Sequence, residues 1–568
     1  MTPLRALGEA AISVLTIIGL MFCLAEHFLL SLLAMLFLMA RQEDPAMLAE
    51  SRRGVICTPH NDASAAGMRM LEAGGTAIDA MLAASATLAA VYPHMTGLGG
   101  DALWMLHDGQ VRTIVGIGQA GQQLPEGGRI TLRGPASVAT TAGAMASWEL
   151  AGKISREQWG SRLGWRDLLE EASVLARAGV EVSASQLFWQ QQRHDLIESL
   201  PDLKALCQQQ GRWLQTGDRL RQPALADTLE QLARHGVQDF YQGELGVAFA
   251  ESFARLGCGL SRDDLLATRA ALVEPISIRY RDGTLFNVAP PCQGLYTLQA
   301  MAALQNKSLR ACGDGSARYY HYLVEAIKQG LLRRNAELCD PVFADWDFRS
   351  SLSEGCGRDY AAIIDDHKAA AWNEPGRPAD TVWMAATDAE GRTACLIQSL
   401  FHDFGSGCVL GDTGVLWQNR AAGFNADPTH PNAWAPCKRP AHTLNPSCYL
   451  ADDGRQLFFG TQGGDGQPQT QMVLATQLVD FAKPIDEALR TPRFLLGRSF
   501  FDSTDNLKLE SDIDPQVAQK LAAMGHDIEM IPAASPFTGQ AGAIALYPDG
   551  RRQAMHDPRG QGVALGQA

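Results

Sequence analysis

The sequence predicts an α+β protein that folds as one interwound unit over residues 50–568. Two β-hairpins are indicated, one turning at Arg281–Gly283 and one at Asp388–Gly391. Helical spacing of apolar residues dominates residues 140–275. No linker, low-complexity tract or repeat divides the chain after residue 50. Strands paired in hairpins, with helices before and after them, are typical of layered α+β folds.

The composition limits the classes of function. The chain has 568 residues, 46% of them apolar, and a formal net charge of −14 without a basic block. Nucleic acid is therefore not expected as a partner. Twelve cysteines are scattered without CxxC pairs, and several, such as Cys395 and Cys408, lie among apolar residues. Reduced, buried thiols are favoured over disulfides or zinc.

Residues 1–49 differ from the rest of the chain. Residues 11–40 are almost all apolar and long enough to cross a bilayer, but Glu26 lies near their middle. A mid-span charge of this kind costs about 2.5–3.5 kcal/mol. A membrane anchor, an unusual export signal and an upstream start codon remain open. Unpaired cysteines favour the cytoplasm for the catalytic body, whereas a native segment 11–40 would place it at the membrane or in the periplasm.

A hydroxyl residue stands where a loop enters a buried strand. The segment 373–379 has a loop composition, and the residues after Thr381 alternate as Val382-Trp383-Met384-Ala385-Ala386. Threonine is common at the start of strands. By itself, the pattern favours a structural threonine.

This segment resembles the cleavage site of the γ-glutamyltransferase family, a branch of the N-terminal nucleophile hydrolases. Similar motifs run from Gly54 to Gly562 and include Gly74-Gly75-Thr76-Ala77-Ile78-Asp79-Ala80, Gly97-Leu98-Gly99-Gly100 and Phe240-Tyr241-Gln242-Gly243-Glu244. The resemblance implies a four-layer αββα sandwich, preceded here by an extra apolar helix. It also implies a proenzyme that cuts itself into a large subunit, 50–380, and a small subunit, 381–568. These would remain associated as a heterodimer, or as a dimer of such heterodimers.

The resemblance further implies a mechanism in two steps. The Thr381 hydroxyl would attack the Asp380 carbonyl, and an N-to-O acyl shift followed by hydrolysis would free Thr381 as a new amino terminus. Its α-amine, with a pKa of about 7.7–8.0, would then help the same hydroxyl to attack a substrate. Ser399 aligns with a family hydroxyl that contacts this amine. No metal or organic cofactor is implied.

A glycine pair lies between a predicted strand, Gln456–Thr461, and a predicted helix, Gln469–Phe481. Backbone N–H groups beside a helix amino end are well suited to hold an oxyanion, although a plain tight turn has the same pattern. The family's oxyanion glycines lie in such a strand–glycine–helix element. The resemblance therefore assigns that role to Gly463 and Gly464.

The positions that would bind substrate depart from those of the glutamyl transferases. Their Arg segment aligns with Ile117-Gly118-Gln119-Ala120-Gly121, their Asn with Phe401, their Asp pair with Ala422-Gly423, and their Ser pair with His442-Thr443. Losing all four removes the charge pairs that would compensate for burying a zwitterion.

Other segments resemble the oxamate amidohydrolase branch of the family, notably Lys438–Pro446, Gly460–Gln471 and Phe401–Gly407. Arg420 and His442 are candidate anion-holding groups, since Arg can fork onto a small carboxylate. A surface Arg and a core His are the alternatives. The expected substrate contacts are Arg420, His442, Thr443 and Phe401.

Three hypotheses follow. The first is a self-processing amidohydrolase that hydrolyses a small acid amide, such as oxamate, through an acyl-enzyme. The second is a γ-glutamyltransferase or hydrolase acting on glutathione-like compounds. The third is a membrane-tethered, catalytically idle scaffold, against which the intact set of Thr381, Ser399, Gly463 and Gly464 argues.

Overall fold

The computed structural model describes residues 47–374, 379–498 and 504–568. The strands of this part, numbered β1 to β21 in chain order, are Ala49–Ser51, Val55–Thr58, Asp101–His107, Val111–Gly116, Val180–Glu181, Gln208–Gln209, Arg212–Trp213, Arg219–Leu220, Ala271–Val273, Ile276–Arg279, Gly283–Asn287, Asp380–Thr387, Thr393–Phe401, Ser447–Ala451, Gln456–Thr461, Phe494–Leu496, Leu507–Glu510, Ile528–Ile531, Ala541–Leu546, Arg552–His556 and Val563–Gly566.

The α-helices of the same part, numbered α1 to α18 in chain order, are Asn61–Glu72, Ala77–Val91, Ala144–Glu157, Trp165–Ala178, Ala184–Gln192, His194–Ser199, Pro201–Cys207, Pro223–His235, Asp239–Gln242, Glu244–Leu256, Arg262–Ala267, Gly294–Gln305, Leu309–Cys312, Ala317–Glu337, Glu354–Ile363, Gly466–Ala475, Ile485–Arg490 and Pro515–Ala523.

Two seven-stranded antiparallel sheets form the centre of the molecule. The first has the order β21-β2-β12-β13-β3-β4-β9 and the second the order β1-β20-β19-β15-β14-β11-β10. In both sheets, strands from before residue 380 pair with strands from after it, for example β2 with β12 and β11 with β14. The chain is therefore interwound, and neither part forms either of the two large sheets alone.

The apolar core has three parts that match four layers. One part lies between the two sheets and includes Trp383, Ile397 and Phe458. The second joins the outer face of the first sheet to helices such as α2 and α4, and the third joins the second sheet to α12, α14 and α16. This arrangement confirms the predicted αββα sandwich.

Close contact between the sheets depends on glycine. A Cβ atom on Gly460 or on Gly542 would lie 2.2 Å from the Trp383 ring. The large side chain that follows Thr381 by two residues therefore fits only because these two strands carry no side chain there. This packing fixes the position of the start of β12.

Local signals mark the start of several helices. Ser261 and Asp264 form a capping box at the start of α11, and Thr76 and Asp79 form another at α2. Helix α16 begins at Gly466, three residues earlier than predicted. Pro468 lies in its first turn, where the missing N–H costs no helical hydrogen bond.

The apolar segment 11–40, predicted as an extra helix, lies outside the described residues. In the described part of the chain, no helix combines the length and the apolar character needed to span a bilayer. The described cysteines form no disulfide with one another, and most are buried, including Cys395 and Cys408. Their burial agrees with the prediction.

Candidate active site

Thr381 lies at an irregularity in the pairing of β12 with β13. Asp380 pairs with Phe401 and Val382 pairs with Gln398, so one residue of β12 faces two of β13, Ser399 and Leu400. Such a bulge changes the direction of the side chains beside it. Asp380 and Thr381 are both buried in the uncleaved chain.

The peptide bond before Thr381 is held by Ser399. The Ser399 hydroxyl donates a hydrogen bond to the carbonyl oxygen of Asp380 and accepts one of 2.8 Å from the Phe401 N–H. Because its oxygen receives the Phe401 N–H, its own proton points at the carbonyl. A donor in this position withdraws charge from the carbonyl oxygen and favours nucleophilic attack on its carbon.

Gln467, which the sequence analysis did not single out, also contacts Thr381. Its Nε2 lies 3.3 Å from Thr381 Oγ1, and the residue is fully buried. Its Oε1 has no hydrogen-bond partner in the described part of the chain. The available signal was its position in the first turn of α16, three residues after the glycine pair.

The glycine pair occupies a strained loop between β15 and α16. Gly463 has φ +115° and Gly464 has φ +51°, backbone conformations that favour glycine. The carbonyl of Gly463 accepts from Gly466 N–H at 2.7 Å, and the carbonyl of Gly464 accepts from Gln293 Nε2 at 2.9 Å. Neither N–H of the pair donates to another described residue, so both remain available to an oxyanion.

A buried ion cluster lies beside the Asp380–Thr381 peptide bond. Asp403 accepts from Arg133 at 3.1 Å and from Arg193 at 2.8 Å. Burial, and then the charge of Asp403, raise the pKa of the Asp380 carboxyl well above its usual range, although Arg193 and Arg133 act in the opposite direction. This cluster could not be predicted from sequence, because its members come from separate segments.

Arg420 is fully buried, in a short 3-10 turn, Arg420–Gly423. Its guanidinium carbon lies 4.0 Å from the centre of the Phe401 ring, and Nη1 lies 3.4 Å from Thr443 Oγ1. Its Nε and Nη2 have no hydrogen-bond partner among the described residues. Burial lowers the pKa of Arg420 to about 10, opposed by Asp101, so the group is cationic at neutral pH.

His442 is also buried, but both of its ring nitrogens are occupied. Nδ1 accepts the Leu444 N–H at 3.3 Å, and Nε2 lies 3.2 Å from Asp101 Oδ2. This pattern places the single proton on Nε2, which donates to Asp101. Burial, followed by the charge of Arg420, lowers the pKa of His442 to about 4, so the ring is neutral and orients Asp101.

Asp101 is the anchor of this cluster. Its Oδ1 accepts from the N–H groups of Gly118 and Gly143 at 2.8 and 2.9 Å, and its Oδ2 lies 4.0 Å from Arg420 Nε. Asp101 follows the predicted turn Gly97–Gly100 directly. The turn was recognised from sequence, but the role of the carboxylate behind it was not.

The cluster around Arg420 and the glycine loop are joined by one side chain. The amide of Gln293 donates to the carbonyl of Thr443 at 2.6 Å and to that of Gly464 at 2.9 Å. Phe401, in contact with Arg420, is two residues from Ser399. The structure thus brings together the nine residues predicted for the site: Asp380, Thr381, Ser399, Phe401, Arg420, His442, Thr443, Gly463 and Gly464.

Outside this site, the described residues contain one cluster of metal-ligating type, formed by His321, Glu325 and His526. Its groups already pair with one another and with a lysine. His321 Nδ1 lies 2.9 Å from His526 Nε2, and Lys328 Nζ lies 2.8 Å from Glu325 Oε1. The lysine ammonium occupies the place that a cation would need.

Comparison with known proteins gives a consistent result. The family model of gamma-glutamyltranspeptidase matches residues 63–567. The oxamate amidohydrolase proenzyme of Klebsiella pneumoniae is 40% identical over 91% of this chain and 99% of its own length. The glutathione hydrolase-like YwrD proenzyme of Bacillus subtilis is 36% identical over 90% of this chain and 98% of its own.

Among solved structures, cephalosporin acylase from Bacillus halodurans superimposes with a TM-score of 0.84 at 27% identity, covering 92% of this chain and 98% of that one. The sandwich, the buried threonine at the start of a central strand and the family model agree. The chain belongs to the gamma-glutamyltranspeptidase family of N-terminal nucleophile hydrolases.

Proposed function

We propose that this protein is a self-cleaving amidohydrolase that uses Thr381 as an amino-terminal nucleophile to hydrolyse the amide of a small acidic substrate, such as oxamate. Cleavage would separate 50–380 from 381–568. The two chains would stay together as a heterodimer, since each of the two large sheets contains strands from both.

The observation that carries the proposal is the geometry at the Asp380–Thr381 bond. The Thr381 hydroxyl lies at a strand bulge, and Ser399 donates to the carbonyl that it would attack. Attack by Oγ1 on that carbonyl carbon would break the peptide C–N bond and leave an ester on Oγ1. Water would then hydrolyse the ester, giving the carboxylate of Asp380 and the free amine of Thr381.

The mature site would hydrolyse an amide in the same way. The Thr381 amine would accept the hydroxyl proton as Oγ1 attacks the substrate carbonyl. The N–H groups of Gly463 and Gly464 would hold the tetrahedral oxyanion. With oxamate, ammonia would leave, an oxalyl ester would remain on Thr381, and water would release oxalate.

Arg420 supports a substrate that carries a small carboxylate in addition to the amide that is hydrolysed. A buried guanidinium with two unpaired nitrogens presents donors in the fork geometry that suits a carboxylate. Phe401 and Thr443 would line the same pocket, and His442 would act by holding Asp101 in place. The 40% identity to an oxamate amidohydrolase proenzyme supports the same substrate class.

A glutathione-like substrate is the second candidate, because a relative at 36% identity carries the name glutathione hydrolase-like. An amino acid head group would need an anionic partner for its ammonium group. The positions aligned with the family's acidic pair are Ala422 and Gly423 here. They offer no carboxylate, which favours the first candidate.

The decisive experiment compares purified wild-type protein with Thr381→Ala. We expect two fragments in the wild type on a denaturing gel, one uncut band in the variant, and loss of amide hydrolysis in the variant. Ammonia release from oxamate should exceed release of chromophore from a γ-glutamyl anilide with glycylglycine as acceptor. A cut and active variant would refute Thr381 as the nucleophile, and the opposite substrate preference would refute the acid-amide assignment.

A further inference from the structure

We propose that Gln467 is a catalytic residue: its side-chain oxygen accepts a hydrogen bond from the α-amine of Thr381 in the cleaved enzyme. This inference rests on the self-cleavage proposed above. It adds a group that holds the amine while the amine acts as the base.

In the uncleaved chain, the acceptor oxygen of Gln467 makes no hydrogen bond to a described residue. Gln467 is fully buried, and its Nε2 contacts Thr381 Oγ1 at 3.3 Å, whereas its Oε1 has no hydrogen-bond partner among the described residues. A buried polar atom without a partner is unfavourable, because it has lost its hydrogen bonds to water. Such a cost is understandable where the partner does not yet exist.

Cleavage would create the missing donor next to this oxygen. The backbone nitrogen of Thr381 now belongs to a peptide bond and carries one hydrogen. After hydrolysis it would be an amine in the same residue whose Oγ1 Gln467 already contacts. One amide would then bind Thr381 at two points, Nε2 at the hydroxyl oxygen and Oε1 at the amine.

Ser399 would provide the second hydrogen bond to the Thr381 amine. Its hydroxyl now donates to the carbonyl of Asp380, and this carbonyl would leave the strand with the new carboxyl terminus. Ser399 would then be free to bind the amine from the opposite strand. Two fixed contacts would direct the amine lone pair at Oγ1, the atom from which it removes a proton.

The test measures the pKa of the Thr381 amine directly. Trace acetylation at a series of pH values, followed by mass spectrometry of the amino-terminal peptide of the small chain, reports how much of the amine is unprotonated. Because no substrate is involved, the result does not depend on whether oxamate is hydrolysed. Failure of the substrate assignment is therefore distinguishable from failure of this inference.

Two substitutions should move this pKa in opposite directions. Gln467→Glu places a negative charge beside the ammonium form and should raise the amine pKa by about one unit. Gln467→Met keeps the shape but removes the acceptor, so the ammonium form loses a hydrogen bond and the pKa should fall. The acid limb of kcat/KM should shift with the amine pKa in each variant.

Gln469→Met is the matched control, because Gln469 is also a buried glutamine of α16. Its amide donates to the carbonyls of Asp465 and Leu496 at 3.1 and 3.0 Å. It should leave the amine pKa unchanged even if it lowers stability. Cleaved, folded Gln467 variants with an unshifted amine pKa would overturn the inference. Folded variants that stay uncleaved would also overturn it, since they would place the role of Gln467 in the first attack.

Discussion

Two buried arginines occupy opposite kinds of environment. Arg559 donates to Glu510 at 2.7 Å through Nε and to the carbonyls of Leu489 and Thr491 through Nη1 and Nη2. Although burial lowers its pKa, Asp557 and Glu510 raise it overall. Arg420 is equally buried, yet two of its three nitrogens make no hydrogen bond in the described part, and burial lowers its pKa to about 10.

The difference separates a fully paired buried charge from one whose donors are partly free. A buried cation is tolerated when its donors are paired with carboxylates and carbonyls. Around Arg559 this condition is met, and the group ties together strand β17 and the loop after β20. Around Arg420 it is met only in part, because Asp101 Oδ2 lies 4.0 Å from Nε and no carboxylate among the described residues accepts a hydrogen bond from the guanidinium. The carboxylate of the proposed substrate would offset the remaining cost.

The largest effect is expected for Arg559→Met. The substitution leaves the buried Glu510 carboxylate without its closest cation, while Asp557 keeps its ion pair with Arg493. The free energy of unfolding should therefore fall by about 3–5 kcal/mol. Denaturant titration of the cleaved protein would measure the loss. Stability equal to that of the wild type would show that this cluster is not structural and would break the comparison.

Arg420→Met should reduce activity strongly but change stability little, in contrast to Arg559→Met. A hydrogen bond to a charged group contributes about 1.5–3 kcal/mol, so losing two should reduce kcat/KM for oxamate by at least about a hundredfold. Stability should stay within about 1 kcal/mol of the wild type, because no carboxylate loses a hydrogen bond to Arg420. Steady-state kinetics and the same titration would test both expectations, and a destabilised variant with unchanged kinetics would contradict them.

The smallest effect concerns Asp380 in the uncleaved chain. Its pKa is raised in the folded state, so the stability it contributes is complete at acid pH and is lost as pH rises through that folded pKa. In a Thr381→Ala background, Asp380→Asn should remove this loss, a change on the order of 1 kcal/mol per unit of pKa shift. Denaturation of both variants at acid and neutral pH would measure it.

The single variant Asp380→Asn should still cleave itself. The contact from Ser399 goes to the backbone carbonyl of residue 380, not to its side chain. If this variant remained uncut while folding normally, the carboxyl group itself would take part in cleavage. That result would assign Asp380 a role in the cleavage reaction, as Arg420 is proposed to have a role in binding substrate.

Much of the fold could be predicted from local patterns. The hairpin β12–β13, the strand β15 and helices α4, α8 and α10 follow from alternation, helical spacing and turn residues. The small sheet β16-β17-β18 was not predicted, because its strands are short and its pairing joins segments that are distant in sequence.

The residues of the candidate site also divide into those that could be predicted from sequence and those that could not. Thr381, Ser399 and the glycine pair lie in motifs that can be read along the chain. Asp101, Gln293 and Gln467 could not be assigned, because each acts through contacts with residues more than 80 positions away. Both nitrogens of His442 proved to be occupied, which sequence cannot show since the partners come from Asp101 and Leu444.

The sequence by itself determined the layers, the family and the threonine at the entrance to a buried strand, because these depend on residue types at fixed spacing. Only the tertiary structure decided which buried polar groups are paired and which are not. Hydrogen bonding depends on distance in space, and the atoms that would satisfy Arg420 or Gln467 must come from elsewhere in the fold or from a ligand. Their availability is a property of the folded chain.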